Sequence, residues 1–82
     1  MEKEFSKSLE DVKNVKCDDN QKLELYGLFK QIYSGDNNTS KPWNWDVKAL
    51  YKWNAWNNNK GMSKSEAMRN YIDIVNKLKV KL

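Results

Sequence analysis

Tyr26 and Lys30 stand four residues apart, as do Lys48 and Lys52, and helical spacing would put each pair on one face. Phe29 borders the first pair. Tyr71 and Lys13 offer a further ring and a further ammonium from other parts of the chain. A lysine with a tyrosine hydroxyl suits a phosphate oxygen, and an aromatic ring suits a nucleic base. If these faces converge, they make a pocket with a cationic rim and aromatic walls. Spacing alone leaves a plainer alternative open, in which the lysines are solvated and the rings are core. Other chemistries are poorly served. With no histidine, Cys17 and the serines lack the usual activating base, and one cysteine among scattered carboxylates makes no metal cage. Glu10 and Asp11 are sequence neighbours that do not share a helix face, so they are not an acid/base pair. No glycine-rich phosphate loop is present. The chain reads as a binding protein, not an enzyme, with no cofactor and no metal.

Something must position those side chains, and 82 residues allow one small domain, 1–82. A chain of this size buries roughly 60% of its unfolded surface. Hydrophobic residues are 39% and charged residues 32%, while three glycines and one proline are too few for a loop-rich or all-β scaffold. Four stretches show helical spacing, so the expected class is all-α. Phe5, Leu9, Val12 and Val15 predict a first helix reaching about Lys16-Cys17. The polar turn Cys17-Asp18-Asp19-Asn20 can cap a second, Gln21 to Tyr33, with Leu25, Leu28, Phe29 and Ile32 as its apolar stripe and Gly35 as a left-handed cap. Gly27 inside this helix costs about 1 kcal/mol relative to alanine. The connection from Asp36 to Asp46 contains the only proline and is long for a hairpin, so the second and third helices are not simple antiparallel neighbours. Asp46 caps a third helix, Val47 to Asn59, with Leu50, Trp53 and Trp56 inward. Ser63 and Glu66 make a capping box for a fourth, whose apolar face is Ala67, Met68, Tyr71, Ile72, Val75 and Leu78. Lys77, Lys79 and Lys81 near its end complement the helix dipole.

A net charge of +4 favours an anionic partner. The lysines are spread over all four helices with no dense basic stripe, which argues against nucleic acid. The asparagine-rich, tryptophan-bearing loops keep a protein-interaction module as an alternative. One cysteine means no internal disulfide, and neither an apolar leader nor a run of about 20 apolar residues is seen. A cytoplasmic protein without stable membrane insertion is expected.

Leu25-Tyr26-Gly27-Leu28-Phe29-Lys30-Gln31 with Gly35-Asp36, then Lys52-Trp53-Asn54-Ala55-Trp56, then Lys60-Gly61-Met62-Ser63 with Glu66-Ala67-Met68 and Tyr71, together resemble the acyl-CoA-binding protein family in order and spacing. The resemblance runs from Phe5 to Leu78. It implies an up-down-down-up four-helix bundle with an overhand connection between the second and third helices. It also implies a monomeric intracellular carrier and pool former for long-chain acyl-CoA, without catalysis, serving acyl-CoA-using enzymes.

By the same resemblance, the ribose 3′-phosphate is held by Tyr26, Lys30 and Lys52. The adenine lies among Phe29, Tyr71, Leu9 and Lys13, and Lys48 belongs to the binding region. The acyl chain runs in a groove between the second and third helices, near Leu23 and Leu25. The first and fourth helices pack through Phe5, Leu9, Val12, Val15, Tyr71, Ile72, Val75 and Leu78. There are departures. Phe29 stands where many members have tyrosine, Leu9 where a small residue is usual, and Lys22 where an apolar residue borders the acyl groove. Pro42-Trp43-Asn44-Trp45 replaces a Pro-Gly-plus-apolar pattern, and one of the two tryptophans is expected to cap the core from outside.

Overall fold

A computed structural model describes residues 1–80. Its helices are α1 (Glu2–Asp11), α2 (Asp19–Ser34), α3 (Val47–Asn57) and α4 (Lys64–Lys79), with a single 3₁₀ turn, Val12–Asn14, after α1. The α1 helix stops earlier than its apolar period suggests. The period persists because Val12 and Val15 still pack on the core, but Val12 does so from the tighter turn and Val15 from extended backbone (φ −112°, ψ 150°). Both are β-branched, which weakens the case for continuing the helix.

The α2 helix starts with a complete capping box. Asp18 Oδ1 accepts from the Gln21 N–H at 2.7 Å, and Gln21 Oε1 accepts from the Asp18 N–H at 2.9 Å. The helix ends at Gly35, whose φ of 74° favours glycine. Its ψ of −152° lies outside the left-handed helical region that the sequence suggested. Asp46 caps α3 through the Ala49 N–H, and Ser63 caps α4 through the Glu66 N–H at 3.1 Å. The α3 helix ends at Asn57, two residues short of the expected end, in a turn closed by Lys60 N–H to Asn57 C=O. At the end of α4, Lys79 bonds Asp11 at 2.9 Å and so ties the last turn to α1. Lys81 lies outside the described residues.

Helix directions follow from the contacts. Tyr26 meets Lys52 and Lys30 meets Trp56, so α2 and α3 run in parallel. Gln31 donates to the Met62 carbonyl, while Leu25 and Phe29 share a hollow with Tyr71, so α2 and α4 are antiparallel. Phe5 packs on Tyr71 and Asp11 on Lys79, so α1 and α4 are parallel. This is an up-down-down-up bundle. Its core is Phe5, Leu25, Leu28, Ile32, Ala67, Met68, Tyr71, Val75 and Leu78, with Leu9, Val12, Val15 and Ile72 partly buried at the margin. Phe29, expected in the apolar stripe of α2, is 39% exposed instead.

At Gly27 the backbone of α2 lies directly against that of α3 at Ala55. A Cβ there would overlap the Ala55 carbonyl oxygen, far inside any real contact. The long connection is fastened to α3 by its own polar groups. The Trp56 indole N–H donates to Gly35 C=O at 2.8 Å, and the Trp53 indole to Thr39 C=O at 3.2 Å. Buried Asn37 accepts from the Thr39 N–H and hydroxyl. Trp43 and Trp45 take no part in the core. They are exposed, on a turn closed by Asp46 N–H to Trp43 C=O, so neither is the expected cap. Trp53 and Trp56 already hold the inner side of the connection.

Candidate functional site

Two hollows meet on either side of Tyr26. The smaller, about 330 Å³, is bounded by Val12, Val15 and Cys17 from the α1–α2 connection, Leu25 and Phe29 from α2, and Tyr71 from α4. The larger, about 740 Å³, lies between the N-terminal halves of α2 and α3 and is lined by Asp19, Asn20, Leu23, Lys48, Tyr51 and Lys52. Lys22 and Tyr26, one helical turn apart on α2, line both. Three lysines and one carboxylate therefore face these spaces, which makes them anion-attracting.

Each key side chain is held by an identifiable neighbour. The Lys52 ammonium sits 5.5 Å from the Tyr26 ring centre, a cation–π contact that gathers a positive charge and a phenol hydroxyl at the junction of the hollows. Tyr71 is buried, with its ring edge-on to Phe5 at 5.3 Å and 77°. Burial pushes its phenol above the ordinary tyrosine value, so Tyr71 keeps its proton at neutral pH. Phe29 leans on Tyr33, ring centres 4.6 Å apart.

The sequence-predicted residues divide cleanly. Tyr26, Phe29, Tyr71 and Leu25 line the smaller hollow, and Tyr26, Leu23, Lys48 and Lys52 the larger. Lys30, Lys13 and Leu9 line neither. The Lys30 ammonium lies 4.6 Å from the centre of a Trp56 ring, Lys13 is exposed on the 3₁₀ turn, and Leu9 is partly buried at the core margin. Leu25, expected near a groove between α2 and α3, is buried and lines the smaller hollow with Tyr71 of α4, not the larger one with Leu23. Leu23 and Leu25 are two residues apart, about 200° around a helix, so they cannot face the same groove. Val15, Cys17 and Tyr51 were not anticipated as lining residues. Tyr51 could have been, since it follows Lys48 by three on the same helix. Val15 and Cys17 reach the hollow only through the path of the connection, for which one sequence carries no signal.

Comparison with known proteins bears on what such a pair of hollows accepts. The family model described as "Acyl CoA binding protein" matches residues 2–75. The chain is 42% identical over 80 residues to an acyl-CoA-binding protein homolog of Drosophila melanogaster, covering 95% of this chain and 93% of that one. The crystal structure of Oryza sativa Acyl-CoA-Binding Protein 2 is similar at a TM-score of 0.88 and 39% identity, covering 95% of this chain and 89% of that chain. The crystal structure of ACBP from Moniliophthora perniciosa is similar at a TM-score of 0.88 and 30% identity, covering 95% and 79%.

Proposed function

The chain belongs to the acyl-CoA-binding protein family, whose members are carriers without enzymatic activity, and from that premise we propose how its two hollows divide the acyl-CoA ligand. The observation that carries the reading is the junction itself, where Tyr26 and Lys52 meet between a ring-walled space and a larger one. The adenine lies in the smaller hollow, against Phe29 and Tyr71 over a floor of Val12, Val15 and Leu25. The 3′-phosphate sits at the junction, taking a hydrogen bond from the Tyr26 hydroxyl and charge from Lys52 and Lys22. Such charge-assisted bonds contribute about 1.5–3 kcal/mol each. The acyl chain occupies the larger hollow, covered by Leu23, the rings of Tyr26 and Tyr51, and the methylene stems of Lys48 and Lys52. At about 0.8 kcal/mol per buried methylene, a long chain outweighs any single polar contact before ordering costs are counted.

Lys30 has a lesser part in this reading. To reach the phosphate it must leave the Trp56 ring, giving up a contact of about 0.5–1 kcal/mol. Leu9 and Lys13 stand further back, one at the core margin and one in solvent.

No described helix is long and apolar enough to cross a membrane. Action as a cytoplasmic monomer that passes its cargo to acyl-CoA-using enzymes is part of the proposal. The test is calorimetry with palmitoyl-CoA, CoA and palmitate side by side. Tight one-to-one binding of palmitoyl-CoA, weaker binding of CoA and little binding of palmitate are expected. Equal affinity for palmitate and palmitoyl-CoA would remove the nucleotide from the site.

A further inference from the structure

The rings on the smaller hollow are not equally held. Tyr71 is buried against Phe5, and the Lys52 ammonium lies over Tyr26. Phe29 is 39% exposed and takes no part in the core. A phenylalanine on a helix has two open χ1 wells, because the third runs into the preceding turn. A ring so exposed divides itself between them unless a neighbour selects one. Among the described residues, the one aromatic neighbour of Phe29 is Tyr33, four positions on and on the same face of α2. The ring centres are 4.6 Å apart and the planes are inclined by 45°. A pair of this kind biases such an equilibrium by a factor of about two to ten.

Tyr33 itself lines neither hollow. It is braced by Phe5, buried on α1, at 6.3 Å between ring centres, and Phe5 packs edge-on to Tyr71. Four rings therefore run in series: Phe29, Tyr33, Phe5 and Tyr71. The two end rings wall the smaller hollow, and the two middle rings stand outside it. Tyr33 is the last residue but one of α2, where a helix tends to fray. Here that end is fastened, since the Trp56 indole N–H donates to Gly35 C=O and Asp36 accepts from Gln31. We propose that Tyr33 is a positioning residue for the nucleotide: its ring holds the Phe29 ring in the orientation that walls the adenine site, without touching the ligand. The proposal rests on the placement of adenine in the smaller hollow. A wall set in advance spares the complex the cost of ordering one side chain, worth about two- to ten-fold in affinity. The ring makes this contact, so the Tyr33 hydroxyl is dispensable.

The test is a double-mutant cycle read by calorimetry with palmitoyl-CoA, on Tyr33→Leu, Phe29→Ala, the two together, and Tyr33→Phe. Tyr33→Leu should weaken binding about two- to ten-fold in the parent and add no further loss to Phe29→Ala. Tyr33→Phe should bind as the parent does. Tyr33 is 59% exposed and leucine suits a helix at least as well, so Tyr33→Leu should stay folded, which its melting curve checks. The free parent gives a readout that needs no variant: nuclear Overhauser contacts between the two rings and side-chain couplings of a single Phe29 rotamer. Averaged Phe29 couplings overturn the proposal. So does a loss from Tyr33→Leu that is the same with and without Phe29, which would mean action through the fold, or a Tyr33→Phe variant as weak as Tyr33→Leu. Parental affinity in Tyr33→Leu beside weakened binding in Phe29→Ala overturns this proposal alone. Parental affinity in Phe29→Ala overturns the adenine placement with it.

Discussion

The ammonium of Lys52 lies over Tyr26 at the junction of the two hollows, while that of Lys30 lies over Trp56, away from both. Sequence spacing presents the two lysines as equal members of a clamp, but their neighbours make them unequal. Lys52→Ala should weaken acyl-CoA binding by about 1.5–3 kcal/mol, and Lys30→Ala by about half that or less, with the first loss largely gone for a 3′-dephospho ligand. Calorimetry on both ligands checks the ranking, and equal losses on both ligands would move the lysines away from the phosphate. Phe29 makes a sharper case. Its ring is 39% exposed beside Tyr33 and borders the smaller hollow, so a hydroxyl added there would not be buried without a partner. Phe29→Tyr should tighten acyl-CoA binding by about 0.5–2 kcal/mol, less where water already serves the phosphate oxygen. It should leave the melting temperature of the free protein nearly unchanged. That Tyr26, Phe29, Lys48, Lys52 and Tyr71 would border shared hollows was legible from helical spacing and family likeness together. The position of the Lys30 ammonium was not legible, because spacing puts this residue on the Tyr26 face but is silent about Trp56, which competes for its charge.

At the scale of the helices, the caps were the most readable feature, because Asp18, Asp46 and Ser63 each precede a helix with an acceptor side chain at the right distance. Spacing between helices was less readable. Gly27 looks like a weakness inside α2, yet it is where the Ala55 carbonyl fits. Gly27→Ala gains about 1 kcal/mol of helix propensity, but α2 and α3 must then separate, at a cost of about 1–3 kcal/mol for overpacking. A net loss in urea unfolding, with weaker acyl-CoA binding in the widened groove, is expected. A stabilised variant would show that the helices yield freely. Asp36 is a second inter-element tie. Its Oδ1 accepts from the Gly61 N–H and from Gln31 Nε2, both at 2.8 Å, joining the end of α2 to the turn before α4. These bonds, the Gly61 N–H first, hold its carboxyl below the usual aspartate value. With the folded value depressed, the stabilisation is complete above the unfolded value of about 3.9 and is lost as pH falls through the folded one. Asp36→Asn keeps an oxygen acceptor without the titrating charge. Its melting temperature should fall less steeply than that of the parent below about pH 4. Asp11, held low mainly by its bond to Lys79, leaves a residual acid limb in both proteins.

Across the whole molecule, the two parallel relationships, α1 with α4 and α2 with α3, set what the chain had to do. The length of the Asp36–Asp46 connection announced the second of these, since a short link would have forced an antiparallel pair. The outward throw of Trp43 and Trp45 was not legible, because large aromatic residues in a connection are as compatible with a core cap as with a surface. The α1–α4 pairing has a further consequence, in the order of assembly. The principal partner of α1 is α4, and the Asp11–Lys79 bond joins residues 68 positions apart. During synthesis from the N-terminus, α1 emerges well before its partner. Before α4 leaves the ribosome, the α2–α3 pair can meet, but Phe5 and its neighbours have no complete surface to pack on. Closing so long a loop adds entropy only logarithmically with length, so the delay costs little once α4 is present. Until then α1 must wait, exposed, for α4.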